Sequence, residues 1–271
     1  MMIVEQMLKN APNPLLHIAD VSGSALFQGD CLDIMPLMPD KSIDMILCDL
    51  PYGTTACKWD SVIPFDKMWE QLKRIRKDNT AILLFGSEPF SSKLRMSNMN
   101  EYKYDWIWDK KRVSNPMMAK KMPLKNYEII SVFYKQSPTY NPQPTRKNTK
   151  GVLSEKNKGK THSTDTTGGS QLTWNDNSSE YGYPKMLLTD IKVINNLTKD
   201  KSGLHPTQKP IELNEYLIKT YSNEGMTVLD FTMGAGASMV ASKNLNRKFI
   251  GIEKEKAYYD IAVKRLSETL F

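Results

Sequence analysis

The densest chemistry in this sequence sits in five consecutive residues, Asp49-Leu50-Pro51-Tyr52-Gly53. They follow the apolar run Ile43-Asp44-Met45-Ile46-Leu47-Cys48, which reads as a buried strand. Ligands of open α/β sheets bind outside the carboxyl ends of the strands. A carboxylate placed there accepts hydrogen bonds, and an aromatic ring beside it can stack on a flat ligand.

A second set of signals lies in the last quarter. Residues 227–231 read as a strand that enters Thr232-Met233-Gly234-Ala235-Gly236-Ala237-Ser238 and then a helix. Two glycines allow a tight turn and close approach of a ligand to backbone. Glu253 ends the next strand, where an acid can accept hydrogen bonds from a ribose diol. The dinucleotide fingerprint needs a third glycine, and Met239 stands in its place. The pattern therefore tilts towards a nucleoside-type ligand without a pyrophosphate.

Holding these groups in place takes alternating strands and helices. Residues 25–28 read as a short strand ending at Gly29-Asp30, and a short helix runs from Cys31 to about Leu37. Phe65, Met68, Trp69, Leu72 and Ile75 recur at helical spacing after Pro64, so 65–77 is expected to be an amphipathic helix. Strands are expected at 80–85, 104–108 and 129–134, and a helix at 88–97. Pro210 opens a helix faced by Leu213, Leu217 and Tyr221, with Gly225 as its stop. Helices to about 245 and over 255–270 flank the strand 248–253. The fold class is then three-layer α/β with a mixed, mostly parallel sheet.

Residues 1–24 are expected to form a loose arm with one short helix, and 54–63 a loop. From 137 to 203 the texture changes, dividing the main domain into 25–136 and 204–271. Prolines give way to the basic runs 146–150 and 156–160 and to a Ser/Thr/Gly-rich stretch. Such composition buries little apolar surface. It reads either as a solvated linker or as an insert lying on nucleic acid, with Trp174, Tyr181 and Tyr183 as stacking groups.

The totals agree with this outline. A chain of 271 residues suits one large domain, or one domain with an insert. The net charge of +7 fits a polyanionic partner. Cys31, Cys48 and Cys57 are too few for a disulfide framework, and with three histidines no metal site is expected. No apolar run reaches membrane-spanning length and the first residues do not read as a signal peptide, so a cytoplasmic protein is expected, without a membrane partner.

The motifs, taken together, resemble a known family. Asp49-Leu50-Pro51-Tyr52 is similar to the Asp-Pro-Pro-Tyr motif of amino-group DNA methyltransferases, and residues 230–236 resemble their cofactor motif. His205-Pro206-Thr207-Gln208-Lys209-Pro210 matches the segment that precedes it, and Gly29-Asp30 resembles the acidic turn ahead of the catalytic motif. Catalytic motif, polar insert, then cofactor motif is the order of the β class, a circular permutation of other classes. Three departures stand out: Leu50 replaces the first proline, Ala237 lacks a hydroxyl common after the second glycine, and Tyr127-Glu128 replaces a His-Glu pair.

This resemblance implies a Rossmann-like methyltransferase fold, S-adenosylmethionine as cofactor and double-stranded DNA as substrate. Homodimers are common in the class and are carried as an expectation. It places Asp49, Pro51 and Tyr52 at the catalytic corner. Glu253 is implied at the ribose hydroxyls, and Asp30 and Cys31 at the cofactor's adenine. Asp230, Phe231, Gly234, Gly236, His205, Thr207 and Lys209 are implied around its methionine end, with lysine holding the carboxylate and Asp230 the ammonium group. Asp49 and a carbonyl at Leu50 or Pro51 would take the protons of an exocyclic amine, while Tyr52 stacks on the extruded base. The acid at the motif's first position favours N6 of adenine. N4 of cytosine is the nearest rival, followed by a non-catalytic DNA-binding protein and a small-molecule methyltransferase.

Overall fold

The computed structural model describes residues 3–10, 17–19, 23–53, 60–111, 113–143, 145–146, 181–189 and 208–268. These form two units, Met1–Asn141 with Met186–Phe271, and Pro142–Lys185. The larger is built on a nine-stranded sheet ordered β1-β2-β11-β10-β3-β4-β6-β5-β9. Its strands are β1 (His17–Ala19), β2 (Ala25–Gln28), β3 (Ile43–Asp49), β4 (Arg76–Gly86), β5 (Tyr102–Asp109), β6 (Tyr127–Phe133), β9 (Leu187–Leu188), β10 (Thr227–Asp230) and β11 (Lys248–Glu253). Strands β2, β11, β10, β3 and β4 run parallel, while β1 and β6 pair antiparallel with β2 and β4. The smaller unit holds one two-stranded pairing, β7 (Thr145–Arg146) with β8 (Tyr181–Gly182).

Parallel strands are covered on both faces, so they read as continuous apolar runs whose alternate residues feed different cores. Ile46, Cys48, Ile82 and Leu84 face one side. There they meet Met68, Trp69, Leu72 and Ile75 of α3 (Phe65–Ile75) and residues of α1 (Ile3–Asn10), α2 (Cys31–Ile34) and α4 (Phe90–Ser97). Met45, Leu47, Ala81 and Leu83 face the other side, against Leu213, Leu217, Ile218 and Tyr221 of α5 (Ile211–Tyr221). Here α6 (Ala237–Asn244) and α7 (Lys256–Glu268) extend the cover over Leu26 and Phe249. The result is the expected three-layer α/β arrangement.

Several boundaries differ from the sequence expectation. The arm of 1–24 contributes a strand, β1, as well as helix α1. The expected helix 31–37 finishes as a 3₁₀ turn, Met35–Leu37, because Pro36 cannot donate into a continuing α-helix. Helix α3 stops at Ile75 rather than residue 77, and β4 begins at once. Arg76 there is buried, and its guanidinium donates to Glu101 at 2.5 Å, a tertiary demand invisible in the helical repeat. Leu187–Leu188, inside the expected polar insert, joins the main sheet beside β5.

Candidate active site

The site forms where two parallel strands end side by side. β3 and β10 pair with Val228 opposite Met45 and Leu229 opposite Ile46. Asp49 and Asp230, the last residues of these strands, therefore arrive at the same edge, though far apart in sequence. From β3 the chain crosses through α3 to β4 on one side, and from β10 through α6 to β11 on the other. Diverging crossovers leave a crevice at the strand ends, the usual ligand position in such sheets. The Thr232 hydroxyl donates to the Asp49 carbonyl at 3.1 Å, and the Phe231 N–H to Cys48 Sγ at 3.2 Å, stitching the two motif loops together.

One cavity of about 320 Å³ opens there, within the range of small-molecule sites of roughly 300–1,000 Å³. Its walls include Asp30, Cys31, Asp49, Pro51, Tyr52, Lys209, Asp230, Phe231, Gly234 and Glu253. The acid-and-ring corner and the glycine loop thus share one space. His205 and Thr207 lie outside the described residues, as do Cys57 and Trp174. Gly236 does not line the cavity. It caps α6 at φ +76°, and a Cβ there would stand 2.8 Å from the Ala262 Cβ, so its smallness serves helix packing.

At the acid-and-ring corner the Tyr52 hydroxyl donates to Asp49 Oδ1 at 2.7 Å, and Lys209 Nζ donates to Asp49 Oδ2 at 2.5 Å. Tyr52 also lies against Phe90, ring centroids 5.0 Å apart. Burial, and then the Asp49 charge, push the Tyr52 hydroxyl well above its ordinary pKa, so it stays protonated and donates. Lys209 is only 8% exposed. Its ammonium also meets Glu128 Oε2 at 3.1 Å and lies over the Phe85 ring. Burial alone would lower its pKa, but Asp49 and Glu128 outweigh that and raise it, so the lysine is charged. The resemblance implies Lys209 at the cofactor's carboxylate; in this structure its charge meets two acids, as a buried ammonium needs.

Glu128 was not singled out as a site residue. Burial opposes its ionisation, yet Lys209 and Lys110 hold its carboxyl below the ordinary range. Its signals in the sequence are an acid beside the apolar residues of the strand Tyr127–Phe133 and the place of Tyr127-Glu128 where the family has a His-Glu pair. Asp60 was also missed: buried, it accepts the Gly53 N–H at 2.8 Å and pins the turn after Tyr52.

At the other end, Glu253 receives the Gly234 N–H at 2.8 Å and the Glu255 N–H at 2.7 Å. Burial raises its pKa despite these bonds. Each carboxylate oxygen keeps a further acceptor direction for a ligand hydroxyl. Gly234 stands at φ +54° with nothing within 4 Å of the position a Cβ would take, so bare backbone faces the cavity. Asp30 caps α2 through the Leu32 N–H at 2.9 Å and meets Lys254 at 3.1 Å. Asp230 is 4% exposed and is held by the Ser238 hydroxyl and the Thr232 N–H. Burial pushes its carboxyl up to about 7. Burial also carries the Cys31 thiol up to about 12 and Cys48 well above its ordinary value, so neither presents a thiolate. Among the described residues no group of three or more His, Cys, Asp or Glu could hold a metal ion, and no helix is long and apolar enough to cross a membrane.

The comparisons with known proteins converge on one family. The N6/N4 DNA methylase model matches residues 43–264. The Type II methyltransferase M.HindIII of Haemophilus influenzae is 38% identical over 95 residues, 34% of this chain and 31% of that protein. The Type II methyltransferase M2.LlaDCHI of Lactococcus lactis subsp. cremoris is 37% identical over 122 residues, 40% of this chain and 44% of that protein. The matched stretches thus span less than half of either relative. Among solved structures, the M1.HpyAVI–SAM complex superposes with a TM-score of 0.57 and 22% identity, covering 89% of this chain and 98% of that one. Identity at that level shows a common fold. S-adenosylmethionine is the cofactor that goes with the family; the Glu253 acceptors fit its ribose, and the bare Gly234 backbone leaves room for it. With a family model running from β3 to the last helix, the chain belongs to the N6/N4 amino-methyltransferase family of DNA methylases.

Proposed function

We propose that the protein transfers a methyl group from S-adenosylmethionine to the N6 amino group of an adenine swung out of double-stranded DNA, at a specific site. The observation that carries this reading is the shared cavity: Asp49 and Tyr52 open into the same space as Gly234, Asp230 and Glu253. When bound, the cofactor supplies a methyl carried on a positively charged sulfur. Glu253 accepts from its ribose hydroxyls, Asp30 and Cys31 border its adenine, and Asp230 takes its ammonium group. Pro51, Phe231 and Gly234 shape the wall between the two ligands, and His205 and Thr207 belong to the same end by resemblance.

An exocyclic amine is a poor nucleophile because its lone pair is delocalised into the ring. Asp49 accepts a hydrogen bond from the amine, which lets the nitrogen pyramidalise and turn its lone pair towards the methyl; as the new N–C bond forms and the S–C bond breaks, the nitrogen's surplus proton passes to the same carboxylate or to water. The Tyr52 and Lys209 bonds hold the carboxylate in place, one on each oxygen, and each oxygen retains a free acceptor direction. Positioning of this kind supplies much of the acceleration. The acid at residue 49, rather than a serine, supports adenine over cytosine.

The test is incorporation of labelled methyl groups into DNA, followed by nucleoside analysis. N6-methyladenine is expected. N4-methylcytosine would overturn the base assignment, and no incorporation would overturn the enzyme. Asp49→Ala should bind cofactor and lose turnover; equal loss of both would make its role structural. The segment 137–203 is assigned to reading the target sequence, with its basic residues on phosphates. Deleting residues 150–200 should change or abolish the methylated site, and an unchanged site would refute that assignment.

A further inference from the structure

Strands β5 and β6 are joined by a hairpin, residues 110–126, rooted at the edge where the cavity opens. Asp109 pairs with Tyr127, and two positions along β6, Ile129 pairs with Gly86 at the end of β4. The neck is closed. The Lys110 N–H donates to the Asn126 carbonyl, the Ser114 N–H to the Lys125 carbonyl and the Lys125 N–H to Asn115 Oδ1, each at 2.7 Å. Lys110 Nζ reaches Glu128 of the cavity wall at 2.6 Å, and Lys125 Nζ donates to the Ser87 hydroxyl. The tip is a 3₁₀ turn, Pro116–Met118.

Everything beyond the neck faces outwards. All residues from 116 to 124 are exposed, Met117 at 96%, and Met118, Met122 and Leu124 are exposed with it. Between Asp109 and Glu128 the sequence holds Lys110, Lys111, Arg112, Lys120, Lys121 and Lys125 and no acid. The ammonium groups of Lys120 and Lys121 meet no acidic partner among the described residues. An apolar tip of this exposure marks an interaction surface. Lysine is depleted at protein–protein interfaces, and a second copy would bring the same positive charge against this one. A polyanion answers the lysines. Methionine is among the side chains that wedge between base steps in a duplex.

We propose that this hairpin is a DNA-docking element: Lys120 and Lys121 seat on backbone phosphates, and Met117 presses into the duplex beside the base drawn into the cavity. The proposal rests on the methyltransferase reading of that cavity. It assigns duplex binding to a segment of the main unit, separate from the polar insert.

Two variants test it, Lys120→Gln/Lys121→Gln and Met117→Ser, all at exposed positions whose replacement leaves the fold intact. Binding of a fluorescein-labelled duplex of about 30 base pairs is measured between about 50 and 200 mM salt. Each phosphate contact adds about 0.9 to the slope of log affinity against log salt, so the double variant should lose about 1.8. Met117→Ser should keep the wild-type slope and the wild-type cofactor affinity but methylate DNA roughly tenfold more slowly. A 2-aminopurine placed at the target position should brighten less with that variant than with wild type. A wild-type slope in the double variant overturns the docking assignment, and wild-type turnover by Met117→Ser overturns the wedge. Sedimentation that shows the variants breaking a dimer, with the slope intact, makes the partner a second copy instead. Wild-type protein without salt-dependent DNA affinity would sink the methyltransferase reading itself, a result distinct from variants that match a DNA-binding wild type.

Discussion

Replacing Asp230 by asparagine should make the ligand-free protein more stable and a worse binder of its cofactor. Burial lifts the carboxyl from an ordinary 3.8 to about 7, against the bonds from Ser238 and Thr232. Between those two values the folded state holds a proton that the unfolded chain has released. Unfolding free energy therefore falls as pH rises from about 4 through 7, by about 1.36 kcal/mol per pH unit. The full penalty at pH 8 is on the order of 4 kcal/mol. Asparagine keeps an acceptor for the Thr232 N–H and removes the charge, so a gain of about 2–4 kcal/mol over wild type is expected at pH 8, shrinking towards pH 5. A charged hydrogen bond to the cofactor's ammonium group is worth about 1.5–3 kcal/mol, so cofactor affinity should drop roughly 10- to 100-fold. Urea unfolding at several pH values gives the first quantity, and calorimetric titration with S-adenosylmethionine the second. If the stability difference between the two proteins does not change between pH 5 and 8, the reasoning from burial is wrong. If stability follows the prediction and cofactor affinity does not fall, the ammonium group sits elsewhere.

Other perturbations separate packing from binding. Gly236→Ala meets both a left-handed φ and the Ala262 methyl, and should destabilise by about 2–4 kcal/mol in urea unfolding. Gly234→Ala has open space around it. It should lower stability by only about 1–2 kcal/mol while weakening cofactor binding in titration more than Gly236→Ala does. Lys209→Met leaves Asp49 and Glu128 without their shared cation, a loss of about 3–5 kcal/mol at pH 8. That loss should shrink as pH falls below about 4.5 and Glu128, held below its ordinary range by Lys209 and Lys110, takes up its proton, and a pH-independent loss would point to packing alone. Cofactor affinity of the wild-type protein should fall as pH drops below about 7, where Asp230 takes up its proton, and a flat profile from pH 8 to 5.5 would contradict the assignment.

Much of this arrangement can be read from the sequence because its causes are local. The apolar runs that become β3, β4, β10 and β11 are recognisable since both faces of a parallel strand are buried. Asp49 and Glu253 announce themselves by ending such runs. The parts that escape are set by distant partners. Three residues of β1 and two of β9 are too short to carry a period, and pairing with β2 and β5 makes them strands. Arg76 ends α3 to reach Glu101. Lys209 turns to Asp49 and Glu128, and no spacing in the chain records that meeting.

The permuted order of the motifs matters less than it first looks. The crevice arises because the crossover from β3 leads away from β10 and the crossover from β10 leads away from β3. That condition concerns which strands are neighbours, and it holds whichever strand the chain visits first. Joining the two halves through a long polar segment leaves it unchanged, since each doubling of a flexible loop adds only about 0.6 kcal/mol of closure entropy. The polar stretch 147–180 is thus free to vary in length and composition while Asp49 and Asp230 still end at one edge. What cannot vary is the contact between the two loops. The Thr232 hydroxyl on the Asp49 carbonyl and the Phe231 N–H on Cys48 hold the acid-and-ring corner against the glycine loop. Thr232→Val removes the first of these bonds at nearly constant shape. It should lower turnover on DNA while leaving cofactor affinity within about twofold, a loss of order 1 kcal/mol in positioning alone. An equal fall in both would mean that the bond builds the cofactor site rather than aligning the two.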